Sequence, residues 1–232
     1  MNSDKTQQDN SDFQSQLPLL KERLLAMGGE VEEQVRAAIR SLVDRDIVLA
    51  EKTLLGDGSI NGLHIEIDKL CFDLIASNLP SQEDVRIVIS GVKINNDLER
   101  IGDVAVKISE STLRYLQHPP VKPLIDIPRM ADLSQSMLRD SLNSYVRHST
   151  SLGTEVVARD ALVDDLQVNV RRDLVGAMLE KSETIEAALD LLLISRYVGQ
   201  ISDHAASIAE EVIFMVSGRD IRHQRKESST VN

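Results

Sequence analysis

The clearest pattern of hydrophobic and polar positions lies between residues 94 and 110. Apolar residues recur there every three or four positions, which is the spacing of one helix face. They are Ile94, Leu98, Ile101, Ala105 and Ile108. Acidic residues form a second stripe, made of Glu99, Asp103 and Glu110. At about 100° per residue the two stripes lie almost opposite each other. The pattern therefore predicts a helix with an apolar core face and an acidic outer face.

The same pattern recurs one hundred residues later. Six positions of the window 94–110 carry the same residue after this shift. They are Ile94, Ile101, Asp103, Ala105, Ile108 and Glu110, repeated as Ile194, Ile201, Asp203, Ala205, Ile208 and Glu210. A repeat of this length indicates two copies of a domain-sized unit. The sequence therefore predicts an internal duplication.

Helical periodicity predicts three helices in a first half that spans residues 13–117. They cover about 13–42, 47–78 and 82–117. Pro18 is compatible only with the first turn of the first helix. Pro80 ends the second helix, and Ser81 with Asp84 forms an N-cap signal for the third. The second helix contains three glycines, at 56, 58 and 62, for which the sequence offers no reason.

The second half, residues 129–218, repeats this plan. Its helices cover about 129–148 and 152–180, and a last helix capped by Ser182 or Thr184 ends at Gly218. No segment shows the two-residue alternation of a strand. The predicted fold class is therefore all-α, with two tandem, homologous three-helix bundles.

Three segments lie outside the predicted bundles. Residues 118–128 carry four of the six prolines and predict a linker between the halves. Residues 1–12 are polar and predict a disordered N-terminal arm, and residues 219–232 predict a polar C-terminal tail.

Composition narrows the class of protein. The net charge of −11 argues against a nucleic-acid binder and against spontaneous docking on anionic lipid. The single cysteine, Cys71, excludes a disulfide framework, and its apolar surroundings predict a small buried core residue. The sequence shows no signal peptide and no apolar run long enough for a membrane span. We therefore expect a soluble, cytoplasmic protein.

Several motifs together resemble the PhoU family of bacterial phosphate-uptake regulators. Residues 27–35 resemble the first helix of that family, and residues 97–103 (DLERIGD) match its most specific motif. Residues 201–210 resemble the second copy of that motif more weakly. The likeness extends from about residue 13 to residue 218 and implies the same duplicated bundles.

The resemblance also implies metal ions, often iron or zinc, on paired acidic motifs of neighbouring helices. Carboxylates one turn apart on two helices converge several oxygen donors on one point, which hard cations need. The first half would supply Asp57, Asn61, Glu99 and Asp103, and the second would supply Asp160, Asp164 and Asp203. Gly199 stands in the second half where an acid is usual. We therefore expect the first site to retain more metal affinity than the second.

Residues 57–68 imitate a calcium-binding EF-hand loop, but His64 and Asp68 depart from that pattern and the corresponding segment 160–166 predicts a plain helix. Glu110 is expected to be a surface charge. His204 is expected on the surface or at an interface rather than as a metal ligand.

The resemblance implies a non-enzymatic negative regulator of phosphate uptake and phosphate-starvation signalling. It would act as an adaptor between the ATPase subunit of a phosphate ABC transporter and a sensor histidine kinase. It would form a homodimer and reach the membrane only through these partners. No catalytic triad or phosphate-binding loop is visible in the sequence. The alternatives are a metal-storage or metalloenzyme bundle, and a structural helical partner with no metal or phosphate role.

Overall fold

A computed structural model describes residues 2–76 and 81–221, with side chains in those ranges except at residues 2–15 and 57. Seven α-helices and no strand occur among the described residues. The helices are α1 (Asn2–Val43), α2 (Ile47–Leu55), α3 (Asp57–Ala76), α4 (Gln82–Tyr115), α5 (Asp126–Arg147), α6 (Thr150–Glu180) and α7 (Ile185–Ser217). The predicted all-α fold class is confirmed.

The helices form the two predicted three-helix bundles. Helices α1, α3 and α4 pack together with the short α2 in the first, and α5, α6 and α7 pack together in the second. The most extensive contact between any two helices joins the bundles, where α4 packs against α7, and α1 also contacts α5. As a result, both bundles share one continuous apolar core.

The apolar stripe of α4 is fully buried, as the pattern predicts, from Ile94 to Ile108. The buried surface of this helix is nevertheless wider than one stripe. Ser90 and Asp97 are also buried, because α7 covers a second side of α4, where the Ser90 hydroxyl donates to the carbonyl of Glu211 and Asp97 contacts His204. An amphipathic pattern shows only the apolar contact within a bundle, so the sequence did not indicate this polar contact.

The second predicted helix, residues 47–78, is interrupted. Helix α2 ends at Leu55, and the amide of Gly56 donates to the carbonyl of Thr53 before α3 begins at Asp57. Gly56 thus marks a break, whereas an added Cβ at Gly58 or Gly62 would meet open space. The helical backbone of α3 also excludes an EF-hand loop. The predicted stop at residues 78–80 lies outside the described residues.

Two other helix ends differ from the prediction. Helix α1 begins at Asn2, where a disordered arm was expected, and Pro18 lies inside it. Residues 2–17 contain no glycine or proline, so the helix continues, although Pro18 contributes no amide hydrogen bond. Helix α5 begins at Asp126, with Pro128 in its first turn, where a backbone amide has no intrahelical partner.

Two other helix-end signals act as predicted, whereas Thr184 stands at the N-cap of α7 without a side-chain capping bond. Ser81 caps α4, since its hydroxyl accepts from the amide of Asp84 at 3.1 Å. Gly218 ends α7 with a φ of 70°, a conformation that glycine adopts readily. Residues 222–232 of the predicted tail lie outside the described residues.

The linker between the bundles forms polar contacts with both of them. The guanidinium of Arg45 donates to the carbonyls of Leu116 and His118, at 3.3 and 2.8 Å. It also lies over the ring of Tyr115, 5.2 Å from the ring centre. Further along, Lys122 forms an ion pair with Asp173 of α6. The linker therefore contacts both bundles through specific polar groups.

Cys71 is buried in the core, as predicted. Burial, with a smaller contribution from the charge of Asp68, raises the pKa of its thiol to about 12. The thiol is therefore neutral in the folded protein at ordinary pH. In the described part of the chain, every helix is too short or too polar to cross a membrane.

One buried polar group has no counterpart in the second bundle. A shift of 103 residues aligns the buried positions of α1 with those of α5, and it pairs Gln34 with Met137. Gln34 is 8% exposed, and neither amide atom has a hydrogen-bond partner among the described residues. It lies over Gly102, where an added Cβ would be 3.3 Å from its Oε1.

We predict that Gln34→Met stabilises the protein. An unpaired buried amide is costly, so its removal should raise the free energy of unfolding by about 1–2 kcal/mol. Urea denaturation followed by circular dichroism measures this change. The matched control, Met137→Gln, should lower the free energy of unfolding. A loss of stability in Gln34→Met would show that this amide is satisfied in the folded protein.

Candidate functional site

The predicted site residues all lie on four helices that form one layer. Helix α3 packs beside α4, α4 beside α7, and α7 beside α6, while α1 and α5 form a second layer behind them. We call the outer surface of the first layer the α3–α4–α7–α6 face. It presents three neighbouring boundaries between helices, and the candidate residues are distributed over these boundaries.

The α3–α4 boundary carries the first predicted set. Glu99 and Asp103 are half-buried and lie one turn apart on α4. His64 of α3 lies 3.3 Å from Asn96 of α4, measured from Nε2 to Oδ1, and this contact fixes the register of the two helices. Because the helices run antiparallel, Asn61 occupies the position that faces Glu99.

The remaining member of the first set is Asp57. It begins α3, and its side chain lies outside the described part of the structure. The described residues contain no group of three His, Cys, Asp or Glu side chains that could share a metal ion. A complete acidic ligand set in the first half would therefore need Asp57 in addition to Glu99 and Asp103.

The α6–α7 boundary carries part of the second predicted set. Asp164 and Asp203 line a groove of about 560 Å³, which we call the α6–α7 groove, and Gly199 also lines it. Asp160 is buried in α6 and does not line this groove. The structure thus brings two of the three predicted acids together in one groove.

The α6–α7 groove does not fit a divalent cation. An added Cβ at Gly199 would lie 3.3 Å from Oε1 of Gln167, so an amide occupies the space of the missing acid. Arg171 and Arg196 line the same groove. Two carboxylates form an incomplete ligand set, and two guanidinium groups in the same groove lower its affinity for a cation further.

The α4–α7 boundary brings the two halves together in a way that the sequence analysis missed. Asp103 and Asp203 line one groove of about 320 Å³, which we call the α4–α7 groove, together with Arg100, Lys107 and His204. The paired acidic motifs place these two aspartates in separate predicted sites. Their equivalence in the repeat was visible, but the packing of α4 on α7 was not.

Beside this groove a polar network joins the bundles. Asp97 accepts hydrogen bonds from Nδ1 of His204 at 2.9 Å and from the hydroxyl of Ser207 at 2.8 Å. The first of these contacts requires the imidazole proton on Nδ1, since a carboxylate only accepts. His204 is thus at an interface, one of its two expected locations.

Two ion pairs extend the contact between α4 and α7. Lys93 contacts both carboxylate oxygens of Glu211 at 3.0 Å, and Arg114 contacts Asp190 at 2.9 Å. Glu211 is only 2% exposed, so its charge depends on Lys93 for compensation. The central boundary is therefore specified by charge as well as by apolar packing.

Comparison with known proteins matches both bundles to one family. The PhoU domain matches residues 24–112 and 127–212. A phosphate-specific transport system accessory protein PhoU from Serratia marcescens is 32% identical over 91% of this chain and 87% of its own length. The homologue from Pseudomonas putida is 34% identical over 91% of this chain and 83% of its own length.

Solved structures agree with this match. The crystal structure of PhoU from Pseudomonas aeruginosa superposes with a TM-score of 0.86 at 33% identity, covering 89% of this chain and all of that one. The phosphate transport system regulatory protein PhoU from Streptococcus pneumoniae gives a TM-score of 0.83 at 28% identity, covering 90% of this chain and 99% of that one.

Proposed function

This chain belongs to the PhoU family, and we propose that it is a non-enzymatic negative regulator of phosphate uptake and phosphate-starvation signalling. The observation that carries the proposal is the pair of PhoU domains, one in each bundle. The relatives that match over about nine tenths of this chain are named accessory proteins of the phosphate-specific transport system. A role in the regulation of phosphate transport follows from this family.

The finer proposal is that the chain is a cytoplasmic adaptor. It would contact the ATPase subunit of a phosphate ABC transporter and a phosphate-responsive sensor histidine kinase. Two features support this role. The two layers of helices offer separate broad surfaces, and the α4–α7 groove sets Asp103 and Asp203 beside Arg100 and Lys107. Such mixed charge suits reversible ionic docking, because exposed pairs exchange partners at small cost.

The proposal includes assembly as a homodimer. Large apolar side chains are exposed on the described surface, among them Ile65 and Phe72, each 70% exposed. Burial of such side chains against a second copy would remove apolar area from water.

Loss of the protein should release phosphate-starvation genes from repression. We predict that a deletion strain expresses a phosphate-starvation reporter several-fold more strongly than the parent in phosphate-rich medium. Expression of this chain from a plasmid should restore repression, and the empty plasmid is the control. An unchanged reporter in the deletion strain would contradict the proposed function.

We further propose that any metal the chain carries depends on the first-half acids. Glu99 and Asp103 support this, since both are half-buried and lie one turn apart on α4. Oxygen donors in this arrangement suit a hard or borderline cation such as iron or zinc.

Elemental analysis of untagged protein tests the metal proposal. The parent should contain metal, and Glu99→Ala/Asp103→Ala should lose most of it, because two of its donors are removed. The matched control, Asp164→Ala/Asp203→Ala, should keep the parental content. An equal metal content in the first variant and the parent would show that these acids do not hold it.

A further inference from the structure

The duplication provides an internal comparison between the two halves. A shift of 103 residues aligns the buried positions of α3 with those of α6, and a shift of 100 aligns α4 with α7. The cores are alike under this alignment. The polar residues at the outer boundary of each bundle, between α3 and α4 and between α6 and α7, differ between the two halves.

In the first half these residues bridge α3 and α4 directly. The Asn95 amide donates to the carbonyl of His64 at 3.0 Å and to Oδ1 of Asp68 at 2.9 Å. His64 in turn contacts Asn96. The boundary is therefore closed by contacts within the bundle.

In the second half the equivalent positions are occupied by different residue types. His64, Asp68, Asn95 and Asn96 correspond to Gln167, Arg171, Ser195 and Arg196. Of these, Gln167 still reaches across, to the carbonyl of Ser195 at 3.5 Å. Arg171 and Arg196 line the α6–α7 groove, and neither pairs with any residue that the structure describes. Gly199 stands in place of Glu99, and the Gln167 amide lies where its side chain would be.

The α6–α7 groove is also flanked by apolar side chains. Val168 and Leu192 line it. Leu189 and Val175 lie exposed on the same two helices, at 50% and 43%. Two unpaired cations between apolar flanks, in a chain with a net charge of −11, form a distinct local surface. Asp164 and Asp203 lie at the other end of the groove, so its charge changes sign along its length.

We propose that the α6–α7 groove is the docking site for an amphipathic helix of a partner protein, whose acidic side chains pair with Arg171 and Arg196. The inference rests on the proposed adaptor function and assigns one of its two contacts to this groove. Charge complementarity favours acidic side chains of the partner helix at the arginine end of the groove and disfavours them at the aspartate end. This difference fixes the direction in which the partner helix lies in the groove. The apolar flanks of the groove favour a helix over a small anion, because they receive apolar side chains.

Binding measurements on the full chain test this proposal. The probes are the purified ATPase subunit and the cytoplasmic part of the sensor kinase from the same organism, each titrated by calorimetry at low salt. Arg171→Glu/Arg196→Glu should weaken binding to one of them by roughly tenfold or more, because opposite charges become like charges. Arg147→Glu/Arg172→Glu changes the net charge equally at exposed positions outside the groove and should bind like the parent.

Each outcome is decisive. Both groove arginines are exposed, so their variant should fold like the parent, as circular dichroism would show. If the groove variant bound both probes as tightly as the parent, the docking site would be overturned and the adaptor function would stand. If the parent bound neither probe, the adaptor function and the docking site would be overturned together. If the groove variant lost self-association instead of partner binding, the groove would be a contact between copies, and the proposal would be wrong.

Discussion

The packing of α4 against α7 is the contact on which the rest of the structure depends. Each of these helices has an apolar stripe for its own bundle and a second buried side for the other bundle. On that second side Asp97 pairs with His204, and Glu211 pairs with Lys93. A shift of one helix along the other would leave these buried charges unpaired, so the two pairs fix the register of α4 on α7. This register sets Asp103 and Asp203 into one groove and makes a single body of the two bundles.

Duplication has supplied two copies of one scaffold, and the outer surfaces have since diverged. Cores tolerate little change because close packing penalises both cavities and excess volume, whereas surface residues change freely. The first half keeps Glu99 and closes its α3–α4 boundary with Asn95. The second half has Gly199 and leaves Arg171 unpaired in an open groove. An adaptor needs two different surfaces on one rigid body, and a diverged duplicate provides them.

Local and long-range features differ in how far the sequence predicts them. The buried stripe of α4, the Ser81 cap and the burial of Cys71 depend on residues a few positions apart, and all were predictable. The burial of Asp97 depends on a contact 107 residues away, which no periodicity reveals. The sequence did contain a signal for the arginines of the α6–α7 groove, since aligning the repeats pairs Asp68 with Arg171. The significance of that difference depends on the groove itself, which only the structure shows.

The central claim is that contacts between α4 and α7 make the two bundles one cooperative body. Urea unfolding followed by two probes tests it most directly. Pulse labelling of the buried Cys71 thiol reports the first bundle, and circular dichroism reports helix throughout the chain. We expect a single transition with coincident midpoints, because neither bundle keeps its buried ion pairs alone. Complete labelling of Cys71 at a urea concentration where half of the helix signal remains would contradict it.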